Sequence, residues 1–171
     1  TMYDLLANAY RDQKDYKKVS EFLSNNKDHV STFRFYSVVK RMLEENADME
    51  IALQIAKLGE TRNRQEVKSP KDKQPEYYSA SEWLQDRENM LGLTLFVEAD
   101  VLYRIDKKAE SLPVIEEAVT LTKSKEGDIN ELYSKVLVEN GEYSKAMEKI
   151  GEFIKMGYGT GAMKNYLYEA Y

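Results

Sequence analysis

Cysteine is absent from the 171-residue chain. That excludes disulfide stapling, thiolate catalysis and Cys-ligated metal. Histidine occurs once, at His29. Standing at an expected helix start, it reads as a cap or surface residue rather than a ligand or a base. Proline occurs three times, at Pro70, Pro75 and Pro113, leaving long stretches free to be helical. No apolar run reaches the roughly 18 residues that a membrane span needs, and no signal peptide is visible at the start. Positive charge is not in excess: the net charge is −5 and the isoelectric point about 5.1. With no basic stripe, nucleic acid is excluded as a partner. Gly157, Gly159 and Gly161 do not follow a strand, so they make no phosphate loop. The neighbouring acids Glu44-Glu45 and Glu116-Glu117 would point about 100° apart on a helix, which is not an acid–base pair. The expectation is a chain with no catalytic residue, no cofactor and no metal site.

What is present is helical patterning. Hydrophobic residues make up 42% and charged residues 32% of the chain, which suits a solvated helical protein with a continuous core. Leu132, Val136 and Leu137 recur at helical spacing, as do Ala146, Ile150 and Phe153. Asn140-Gly141 between them is a helix stop. This hairpin pattern returns along the chain with varying clarity. Tyr3, Leu6, Ala7 and Tyr10 make a first stripe; Lys14-Asp15 turns it and Asp15 caps the next. Tyr16, Val19, Phe22 and Leu23 follow. A helix from His29 to about Glu45 is expected to turn Phe33, Tyr36, Val39, Met42 and Leu43 inward, with its partner carrying Met49, Ala52, Leu53 and Ala56. A long helix capped by Ser79 or Ser81 should run to Ile105. Its partner carries Leu112, Ile115, Ala118 and Val119, and Pro113 should bend it or move its start.

The spacing and residue types resemble the tetratricopeptide repeat (TPR). Ser134, Leu137, Gly141, Tyr143, Ala146 and Ile150 fill that family's small, large, Gly, Tyr, small and large positions in order. The turn positions Tyr16, Met49, Lys108 and Tyr143 stand 33, 59 and 35 residues apart. The middle spacing exceeds the period of about 34 by about 25 residues. The resemblance implies an all-α fold: a right-handed superhelix of about four helix pairs. The repeats fall at about 1–27, 29–60, 83–124 and 127–158, with a polar insertion over 61–76 read as an exposed loop, extra helix turns before it being the open alternative. A capping helix over 160–171, started by Thr160, would close the array.

A second resemblance rests on Ala99 through Val119 and Glu131 through Lys149. These segments look like the helical region preceding the thioredoxin fold in bacterial envelope disulfide reductases of the TlpA type. The Cys-x-x-Cys of those proteins is absent, so no redox role passes to any residue here. Helical pattern at both chain ends suits a part of a longer envelope protein.

In the TPR family the first helix of each pair lines the concave face. That implies a peptide groove built from Asn8, Arg11, Arg34, Ser37, Arg41, Phe96, Asp100, Tyr103 and Lys135. Arg11, Arg34 and Arg41 would form a local positive strip; the competing reading pairs Arg34 and Arg41 with Glu44 and Glu45. Asp4 and Val38 stand where a carboxylate clamp would need Lys and Asn, which argues against that clamp. The expected function is a non-catalytic protein-interaction module, binding a protein or peptide segment or its own downstream thioredoxin-like domain. The alternatives are a structural scaffold that positions or homodimerises such a domain, and, behind it, a helical carbohydrate-binding protein.

Overall fold

Each apolar stripe becomes one helix. The computed structural model describes residues 1–71 and 73–171. Its helices are α1 (Met2–Asp12), α2 (Tyr16–Asn25), α3 (Thr32–Glu44), α4 (Met49–Lys68), α5 (Ala80–Arg104), α6 (Lys108–Leu121), α7 (Gly127–Glu139), α8 (Tyr143–Lys155) and α9 (Met163–Ala170). No strand occurs among the described residues, so the fold is all-α. None of these helices is long and apolar enough to cross a membrane. Local chemistry sets several starts. Asp15 accepts the Lys18 amide at 3.2 Å, and Asp48 accepts the amides of Glu50 and Ile51 at 3.0 and 3.1 Å. Ser79 and Glu82 cap each other reciprocally.

α1, α3, α5 and α7 all stop by the same backbone device. A residue in the left-handed region follows each: Lys14 (φ 58°), Asn46 (50°), Asp106 (63°) and Gly141 (78°). The next amide then reaches back to the carbonyl of Tyr10, Met42, Leu102 or Leu137, at 3.2, 2.9, 2.9 and 2.9 Å. That bond satisfies a carbonyl which the helix end would otherwise orphan. Three of the four turns therefore use a non-glycine residue where glycine is cheapest.

The odd-numbered helices form one row, α1 on α3, α3 on α5, α5 on α7 and α7 on α9, and the even-numbered helices pack against them. Two apolar cores result. One gathers Ala7, Val19, Leu23, Phe35, Val38, Met42 and Ile55 with Val97 and Val101. The other gathers Leu91, Leu95 and Ala99 with Ile115, Tyr133, Leu137, Ala146, Ile150, Phe153 and Met163. α5 is the wall they share. Gly92 lets α6 approach it: a Cβ there would stand 2.6 Å from the Thr122 methyl. Ser111 supports the same seam by donating to the Ala99 carbonyl at 2.9 Å.

Several expectations need correction. Residues 61–68 are not part of an exposed loop but the extra helix turns left open as the alternative: α4 continues to Lys68, with Arg62 and Asn63 buried. Asn63 Nδ2 donates to Gly59 O at 3.0 Å and to Thr94 Oγ1 on α5 at 3.1 Å. Asp72, inside the expected insertion, lies outside the described residues. α3 begins at Thr32 rather than His29, and its inward set is Phe35, Val38, Val39, Met42 and Leu43. Phe33 is instead 51% exposed, and Leu6 on α1 is exposed as well. α6 starts at Lys108 and runs through Pro113. α9 starts at Met163, and Thr160 caps nothing; its hydroxyl donates to Glu131 on α7 at 2.5 Å.

Candidate functional site

The expected groove residues all lie on odd-numbered helices, and they separate into two groups. Arg11, Ser37 and Arg41 line one cleft between α1 and α3, together with Phe33, Tyr36 and Lys40. Its volume is about 380 Å³. Asn8 and Arg34 lie beside it, bonded to each other. Phe96, Asp100 and Lys135 line a second cleft of about 260 Å³, walled by α5, α7 and Tyr166 of α9. Tyr103 stands next to that cleft, with the Lys135 ammonium 4.4 Å above its ring. The two groups line separate clefts.

The positive strip does not form, because each arginine is already matched. Arg34 is nearly buried and pairs with Asp4 at 3.4 Å. Burial alone would raise the Asp4 carboxyl, but hydrogen bonds from Thr1 and Ser31 outweigh it and hold the group well below the usual carboxylate range. Arg11 pairs with Asp12 at 2.8 Å. Arg41 bonds Glu45 at 2.6 Å and lies 3.9 Å from Glu44, as the competing reading has it; for Arg34 that reading fails. The Glu45 carboxyl is lowered, chiefly by the Tyr16 hydroxyl, which donates to it at 2.7 Å.

The cations left over are lysines. Neither Lys40 nor Lys135 has an ion-pair partner among the described residues, and each sits over an aromatic ring: Tyr36 in the first cleft, Tyr103 beside the second. Lys40 and its aromatic neighbours on α3 escape the sequence pattern, which assigns Phe33 and Tyr36 to the core. Tyr103 is pushed up to about 12 by burial and by its hydrogen bond to Glu139 at 2.6 Å. It is therefore a neutral donor at pH 7 rather than a base. Glu139 is lowered in turn: burial raises it, but Lys108 and Tyr103 more than offset that. The first cleft can hold side chains of a passing segment, apolar ones on its rings and acidic ones on Lys40, whereas the second sets Lys135 among the carboxylates of Asp100, Asp128 and Glu131. Comparison with protein-family models gives no match, and comparison with curated proteins gives none either.

Proposed function

We propose that the chain is a non-catalytic protein-interaction module: a TPR-like right-handed superhelix of four helix pairs closed by α9. In this reading it is the helical part of a larger thioredoxin-like envelope protein. One observation carries the interaction role: two open clefts on the same row of odd-numbered helices, each lined by a lysine that lies over a partly exposed tyrosine ring and has no ion-pair partner among the described residues. The repeated turn device after α1, α3, α5 and α7 supports the repeat reading. The occupant is an extended segment with apolar and acidic side chains, and its contacts weaken with salt because they are partly exposed. A scaffold or dimerisation role is the second reading, favoured by Met2 and Leu5 on α1, which are 68% and 70% exposed.

The test uses peptides selected from a random display library on the whole chain, titrated into the parent and into Lys40→Glu/Lys135→Glu at two salt concentrations. The expected result is enrichment of acidic-aromatic sequences, with binding lost in the variant and weakened by salt. Equal binding by both proteins would overturn the groove reading. A concentration-dependent doubling of mass in sedimentation, abolished by Leu5→Glu, would put the scaffold reading ahead.

A further inference from the structure

The seam between α4 and α5 changes character along its length. Over the first turns of α4 it is apolar, with Ala52, Ile55 and Ala56 fully buried. Beyond Gly59 the buried side chains of α4 are the polar Arg62 and Asn63. Glu98 of α5 stands where the two stretches meet. Only 3% of it is exposed, and its Oε2 has no hydrogen-bond partner among the described residues. The other buried carboxyl among these residues, Asp4, is met by Thr1, Ser31 and Arg34. Glu98 has no such set.

The charges that bear on Glu98 come from α4. Glu60 lies within hydrogen-bond reach, and Lys57 and Arg64 act on it without a bond. Arg64 is committed elsewhere: it bonds Glu60 at 2.8 Å and holds Glu117 of α6 through two bonds of 2.7 and 2.6 Å. The other charges on the helices around α5 are taken up at other places. On α6, Lys108 pairs with Glu139, Glu116 with Lys145 and Glu110 with Lys107. On α3, Arg34 pairs with Asp4 and Arg41 with Glu45, while Lys40 and Glu44 line the first cleft. On α7, Asp128, Glu131 and Lys135 line the second. Two neighbouring carboxyls, one of them buried, do not both carry charge cheaply, and a proton held between them removes the repulsion.

We infer that Glu98 and Glu60 share one proton, and that this proton locks the end of α4 onto α5. The buried Glu98 holds it and donates to the Glu60 carboxylate, which Arg64 ties in turn to Glu117. One chain of contacts then joins α5, α4 and α6. Loss of the proton leaves two carboxylates facing each other beside a stretch whose buried side chains are polar, and residues 59–68 loosen. Burial and Glu60 place that loss near neutral pH, because together they push the Glu98 carboxyl up to about 7. The same turns set Arg62, Asn63 and Glu66 in the wall of a cavity of about 540 Å³, so the lock also fixes that wall.

Carbon-13 NMR of the glutamate carboxyls, followed from about pH 4 to about pH 9, tests the shared proton. One signal, missing in Glu98→Gln, should titrate near 7. Glu60→Gln should lower its midpoint by removing the facing charge. Amide hydrogen exchange tests the lock. Near pH 8, residues 59–68 should exchange about tenfold faster in the parent than in Glu98→Gln, the ratio reached one unit above the midpoint. At about pH 5.5 the two proteins should agree. The amides of α9, which packs on α7 and α8, should agree at both pH values. A midpoint near the ordinary 4.5 would overturn the inference, as would equal exchange over 59–68 near pH 8. An equal acceleration in α9 would show that Glu98 acts on the whole fold, and would overturn the lock. Should either variant fail to fold, the titration of the parent decides.

Discussion

The α7–α8 hairpin and the α4–α5 pair stand at opposite extremes of one fold. In α7–α8, every signal is local and points the same way. Gly141 makes the turn at φ 78°, and Leu137, Ala146, Ile150 and Phe153 are fully buried on a helical period. In α4–α5, the local signals mislead. Residues 61–68 are polar but for Val67, yet they are helix, and Arg62 and Asn63 are among the least exposed side chains there. What holds them is distant in sequence: Thr94 for Asn63, and Glu117 for Arg64 through two bonds of 2.7 and 2.6 Å. The difference teaches that polar residues in a helix do not announce a loop when partners far along the chain can satisfy them. It also shows that α4–α5 buries groups that carry charge, Arg62 and Glu98, where the polar groups buried in α7–α8 are the uncharged Asn130, Tyr133 and Ser134.

The largest expected effect tests the α7–α8 hairpin. Ala146 is fully buried in the core that also holds Leu137 and Phe153. Ala146→Trp should overpack it and cost about 3 kcal/mol or more. Ser144→Trp, two residues earlier on the exposed side, should change stability by less than about 0.5 kcal/mol. Urea melts of the two variants check this. Equal midpoints would mean that the hairpin lacks the tight seam described.

A smaller effect tests α4–α5. Glu98 is 3% exposed, and burial together with neighbouring Glu60 pushes its carboxyl up to about 7 from an ordinary 4.5. Between those pH values the folded chain holds a proton that the unfolded chain has released. The stabilisation is complete below pH 4.5 and is lost as pH rises through 7, where the fold must carry a buried charge. Glu98→Gln keeps the neutral form at every pH. It should match the parent near pH 4.5 and exceed it above pH 8 by on the order of 2 kcal/mol. Denaturation curves at both pH values measure the gap, and a gap independent of pH would place Glu98 in contact with solvent.

How much could be read from the chain follows the same division. The helix pairs, the Asp15 and Ser79 starts, the long α5 and the buried Ala146 all obey rules that act within a few residues. The odd-helix placement of Asn8, Arg11, Arg34, Ser37, Arg41, Phe96, Asp100, Tyr103 and Lys135 followed from that periodicity. Their availability did not. Whether Arg34 is free depends on Asp4, thirty residues away, which it meets only because α1 packs on α3. The inward set of α3 was misread for a related reason. Phe33 and Tyr36 are apolar enough to be core, and only the position of α1 leaves them at an open cleft.

The smallest test contrasts two glycines inside α7–α8 itself. Gly141 has φ 78° with nothing within 4 Å of a built Cβ, so only backbone conformation opposes a side chain there. Gly141→Ala should cost about 1 kcal/mol, the penalty of the left-handed region for an L-residue. Gly151 lies in the middle of α8, exposed and equally uncrowded, but in ordinary helical conformation. Gly151→Ala should therefore stabilise the fold by about 0.5–1 kcal/mol, because glycine loses more freedom on entering a helix than alanine does. The same reasoning extends to the first of the three turns that lack glycine. Lys14 holds φ 58° against its Cβ, so Lys14→Gly should gain about 0.5 kcal/mol, strain relieved less the added freedom of the unfolded chain. Thermal melts rank the three variants. Opposite signs for Gly141→Ala and Gly151→Ala, with a small gain for Lys14→Gly, would show that all the hairpins share one turn and differ only in how cheaply they make it. A loss for Lys14→Gly would mean that the lysine side chain, which lies 3.3 Å from Glu45, contributes more than the backbone strain costs.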